Sequence, residues 1–137
     1  MWWTYALLSA FFAALTAIFA KVGVQHVDSD LATAIRTAVI LVIAWSIAMV
    51  RGGAFTMGTL TKQNVLFLCL SGVATGLSWV FYFKALQIGK VSQVAPVDKM
   101  SVALAIILSF FFLGEALTWK TIAGAALIIG GTLVLIL

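Results

Sequence analysis

The sequence predicts an all-α polytopic membrane protein, five transmembrane helices in a single domain over residues 1–137. Three observations carry that reading. Five apolar stretches fill the chain almost end to end, from about Trp2 to Val24, Leu31 to Val50, Val65 to Leu86, Val94 to Leu113 and Trp119 to Leu137. A hydrocarbon core of about 30 Å needs roughly 20 helical residues at about 1.5 Å each, so every stretch is long enough to cross. The composition, 64% hydrophobic and 9% charged, exceeds the apolar surface that water tolerates on a soluble domain. The longest connection, roughly Arg51 to Asn64, is no longer than an ordinary surface loop and leaves no space for a separate soluble domain. An odd number of crossings puts the two ends of the chain on opposite sides of the membrane.

The first stretch follows Met1-Trp2-Trp3-Thr4-Tyr5, which offers no basic leader, and it reads as a retained helix and not a secretory signal. Ser9, Ala13, Thr16, Ala20 and Gly23 recur at helical spacing and form a small, faintly polar stripe suited to close packing in lipid. In the second stretch Arg36 lies about a turn and a half inside, where a charge costs about 2.5 to 3.5 kcal/mol on insertion scales. The third carries a GxxxG pair, Gly72 and Gly76, and a face of Ser71, Thr75, Ser78 and Tyr82, with Trp79 beside Thr75 and Tyr82. Rings bracketed by hydroxyls suit a small-ligand pocket as well as helix packing, and both readings stay open.

The fourth stretch contains Pro96, Asp98 and Lys99. Pro96 lacks an N–H and either opens the helix as its first residue or kinks it next to a cavity. Asp98 is the one carboxylate placed within a spanning segment. It is either a site of proton or cation coupling or a structural partner of Arg36, Lys21 or Lys84, and Lys99 reaches towards headgroups. The fifth stretch shows Ala123, Ala126 and Gly130 on one side and Gly124 and Gly131 on another, a packing or dimerisation surface with no polar group suited to chemistry. Trp2, Trp3 and Trp119 fall where an interfacial aromatic belt belongs.

The formal charge of +4 comes from basic residues scattered singly beside helix ends, which favours lipid headgroups over nucleic acid. Cys69 is the sole cysteine and no Cys/His grouping has metal-ligand spacing, so neither metal nor other cofactor is expected. His26 in the first loop has no nucleophile at suggestive spacing, which argues against an enzyme. One face of the membrane carries Arg51, Lys62 and Lys120. Across it, the first and third loops carry Lys21, Lys84 and Lys90, joined by Arg36 and Lys99 if these snorkel. So weak a bias permits insertion both ways round, and two antiparallel copies would form an inverted-repeat assembly. The alternatives are a single orientation with parallel copies, or an unlike partner.

Tyr82-Phe83-Lys84-Ala85-Leu86, Gly89, Val91-Ser92-Gln93-Val94-Ala95-Pro96, Phe112-Leu113-Gly114-Glu115, Gly124 and the Gly130-Gly131 pair resemble the EamA-type family of the drug/metabolite transporter superfamily. Familiar members carry two five-helix units in tandem; this chain resembles one unit alone, like the short bacterial and archaeal members. The resemblance implies a multi-pass inner-membrane carrier, often an exporter of amino acids or other small metabolites, with a central cavity between the first four helices and a peripheral fifth. It matches the family's fourth-helix proline to Pro96 and its Gly-Glu pair to Gly114 and Glu115, a helix-end feature. Because the second unit is missing, the other half of the pathway must come from another chain, and a homodimer of alternating-access halves is expected.

Lys21, Arg36, Lys84 and Lys99 outnumber Asp98, so a carboxylate on the substrate would be tolerated. The candidate substrate-binding residues are Thr16, Arg36, Thr75, Trp79, Tyr82, Pro96, Asp98 and Lys99. Two other functions compete: a non-transporting subunit that scaffolds another membrane protein, and a small multidrug-type exporter. The latter needs an acidic residue in the first helix, and none lies between Trp2 and Val24.

Overall fold

Among the described residues of the computed structural model, five helices are long and apolar enough to cross a membrane: α1 (Trp2–Gly23), α2 (Ser29–Val50), α3 (Lys62–Ile88), α4 (Val91–Leu113) and α5 (Trp119–Ile136). A short 3-10 segment, Gly53–Thr59, lies between α2 and α3. The structure describes residues 1–137, with side chains throughout except those of Ala54 and Phe55.

Helices α2, α3 and α4 begin before the apolar runs that announce them, and in α2 and α3 a side-chain oxygen caps the early start. Asp28 accepts hydrogen bonds from the N–H groups of Asp30 and Leu31 at 3.0 and 3.1 Å, so α2 begins at Ser29. Thr61 Oγ1 accepts from Asn64 N–H at 3.1 Å and starts α3 at Lys62. Thr118 does the same for Thr121 N–H at 3.2 Å at the head of α5. α4 ends at Gly114, whose φ of +68° is a left-handed conformation that a side chain would resist. The N–H of Glu115 closes the end by bonding Ser109 O at 3.3 Å, which makes the Gly-Glu pair a helix stop.

Two placements differ from the sequence reading. Lys21 and Lys84 belong to α1 and α3 and not to loops, since both helices run on past them. Pro96 is neither the first residue of α4 nor its end. The helix starts at Val91 and stays continuous through Pro96, because a proline so near the start deprives only Ser92 O of its usual N–H partner.

The chain forms two compact units, Ala20–Gln87 and Met1–Phe19 with Ile88–Leu137. In the first, Val24, Ser29, Thr33, Phe83 and Leu86 are buried. Thr33 and Thr37 satisfy their hydroxyls on carbonyls one turn back, Ser29 O and Thr33 O, both at 2.8 Å, so neither leaves a bare polar group in the apolar run. Lys21 Nζ donates to Leu86 O, and Gln87 Nε2 donates to Val24 O and Val27 O. These bonds fasten the turn between α1 and α2 to the end of α3, and they satisfy carbonyls that a helix terminus leaves open. Lys21, Val24, Gln25, His26, Val27 and Gln87 enclose a cleft of about 380 Å³ there.

In the second unit α4 packs on α5, and Ala103 and Thr132 are buried. Thr132 Oγ1 donates to Pro96 O at 3.2 Å. So α5, read from sequence as free of useful polar groups, supplies a buried hydroxyl to the proline turn of α4.

Candidate functional site

The polar and aromatic cluster of the Ala20–Gln87 unit is built on α2 and α3. Arg36 lies seven residues past Ser29, two helical turns inside α2 and half a turn deeper than the apolar run suggested. Its guanidinium carbon sits 4.3 Å from the ring centroid of Trp79 and 5.2 Å from that of Phe83. Trp79 and Phe83 are four residues apart, so one face of α3 presents both rings to the same cation. Phe83 is 2% exposed, and Tyr82 meets it edge-on at 6.2 Å between centroids.

Magnitudes show why this arrangement is unfinished. A charge at the centre of a span costs about 2.5 to 3.5 kcal/mol, an upper bound for Arg36 two turns inside, and a desolvated cation–π contact returns about 2 kcal/mol. Rings accept charge but no conventional hydrogen bond, and Arg36 Nη1 is buried with no hydrogen-bond partner among the described residues. An unpaired buried donor costs about 1 to 3 kcal/mol, more when charged. The site therefore has a standing demand for an acceptor.

Of the other expected residues in this unit, Thr75 is exposed, with its hydroxyl turned back to Ser71 O at 2.8 Å. Tyr82 and Trp79 are half-buried. Thr16, Pro96, Asp98 and Lys99 belong to the other unit. There Lys99 Nζ donates to Asp98 Oδ2, on the neighbouring residue, at 3.2 Å.

Sequence reasoning missed Phe83, Gln87 and Thr132. A phenylalanine in an apolar helix carries no signal of its own, and the clue was its i+4 spacing from Trp79. Gln87 and Thr132 were visible as polar residues in or beside apolar runs, but their acceptors are backbone carbonyls, which no side-chain pattern reports.

Residues 1–137 match the family model described as the EamA-like transporter family. A protein of Sinorhizobium sp. described as an uncharacterized transporter in the cobO 3′ region is 48% identical over 134 residues, covering 98% of this chain and 95% of that protein. No solved structure matches. With a family match over its whole length and a full-length relative at this identity, the chain belongs to the EamA-like transporter family of the drug/metabolite superfamily, as a multi-pass membrane transporter in its short five-helix form.

Proposed function

We propose that this chain is one half of a secondary transporter that exports small polar metabolites such as amino acids, working as a homodimer by alternating access in a bacterial or archaeal inner membrane. The observation that carries the reading is Arg36, a permanent cation two turns inside a spanning helix and placed over Trp79. Intramembrane charges that face protein mark substrate or ion pathways. In the same unit Thr75 and Tyr82 stand as further substrate-contacting residues; in the other unit Thr16, Pro96 and Lys99 do, with Asp98 as the carboxylate through which a proton or cation would couple.

The dimer is supported by surface that one copy leaves unused. At most 6% of the apolar window of any span is buried. A Cβ built on Gly72, Gly76, Gly130 or Gly131 meets nothing within 4 Å, so these small-residue faces are open to a second copy. Antiparallel pairing would give the inverted repeat that alternating access uses.

Reconstitution tests the reading. Proteoliposomes holding the purified chain alone should show saturable flux of an amino acid or small organic acid, and Asp98→Asn should uncouple that flux from an imposed proton gradient. No saturable flux for any such compound rejects the carrier.

A further inference from the structure

Three facts about Arg36 narrow what could satisfy it. Its Nη1 is buried without an acceptor. Its guanidinium lies 4.3 Å from the Trp79 ring centroid and 5.2 Å from that of Phe83. Its depth follows from both helices. Arg36 lies about 10 Å along α2 from Ser29, and Trp79 about 13 Å along α3 from Ile88, the end on the same side of the membrane. Both measures place the two residues about two helical turns from the ends of their helices.

We infer that Arg36 is a binding site for the single carboxylate of a small organic acid or amino acid, with Nη1 donating to a carboxylate oxygen while the Trp79 and Phe83 rings hold the guanidinium in place. The inference rests on the transporter reading and names its substrate class. Guanidinium is always protonated and planar, and it matches a carboxylate in shape and charge. One positive charge flanked by rings balances a monoanion; a phosphate would bring a second negative charge into an apolar setting. The same fixed charge repels cations, which sets this site against a cationic drug as cargo.

The test is equilibrium binding to the purified full chain in lipid nanodiscs, with propionate, L-alanine, L-alaninamide and inorganic phosphate as probes. Propionate and L-alanine are expected to bind saturably and to compete, L-alaninamide at least tenfold more weakly, and phosphate no better than propionate. Arg36→Gln should lose at least tenfold for both carboxylates, and Arg36→Lys, which keeps the charge but not the fork, should fall between. If Arg36→Gln does not fold, Arg36→Lys and Trp79→Phe read the same loss. The inference is overturned by undetectable carboxylate binding, by equal affinity in wild type and variants, by L-alaninamide matching L-alanine, or by phosphate binding more tightly. Carboxylate binding in phosphatidylcholine discs that vanishes in phosphatidylglycerol discs would assign Arg36 to a headgroup and also overturn it. Flux measured in parallel separates the two readings. Saturable transport unchanged by Arg36→Lys removes the carboxylate site and keeps the carrier, whereas Arg36-dependent binding without flux keeps the site and removes the carrier.

Discussion

Arg36 and Trp79 each stood out in the sequence for a separate reason, one as a charge in an apolar run and the other as an indole among hydroxyls. Their partnership did not, because it depends on how α2 and α3 are rotated about their axes, and a single sequence fixes periodicity but not phase between distant helices. Replacing Trp79 by Leu keeps apolar bulk and removes the indole face, and should lower stability by about 0.5 to 2 kcal/mol, read from thermal unfolding in detergent. Asp98 gives the opposite case. Its ion partner, Lys99, is the adjacent residue, so the pairing can be read from the sequence alone, and Asp98→Asn should change stability by less than about 1 kcal/mol in the same assay. A larger loss would mean that Asp98 holds the fold together.

The five helices were legible because hydropathy over some twenty residues is a strong signal. Their ends were less so, since capping depends on one side-chain oxygen meeting one or two N–H groups. Asp28 illustrates this: it set the start of α2 two residues ahead of the apolar run. Asp28→Ala should cost about 1 kcal/mol, seen as a lower melting temperature with the helix content of the folded state unchanged. Pro96 shows how far a local rule can be stretched. The ring removes one backbone bond, and α4 carries on through it while Thr132 of α5 bonds the proline's carbonyl. Thr132→Val keeps the shape and deletes that bond, and a loss of about 0.6 kcal/mol is expected, the usual worth of a side-chain hydrogen bond between spanning helices. Double substitution with Pro96→Ala tests whether the two are coupled.

The small-residue faces around Gly72, Gly76, Gly130 and Gly131 are open. Gly72→Leu should weaken self-association at least tenfold, measured by sedimentation in detergent, because a bulky side chain holds helix backbones apart. A reporter fused after Leu137 distinguishes the orientations: signal from both sides of the membrane supports antiparallel pairing, and signal from one side rejects it. The near-even distribution of basic residues made that ambiguity visible in the sequence, whereas the clasp of Lys21 and Gln87 onto main-chain oxygens did not show there at all. Its chemistry makes evolution lopsided at this corner. Every residue has a carbonyl, so Val24, Val27 and Leu86 can drift among apolar types without disturbing the polar half of the joint. The donors have no such latitude, and a library randomised across all five codons should return varied acceptor positions around a nearly invariant lysine and glutamine.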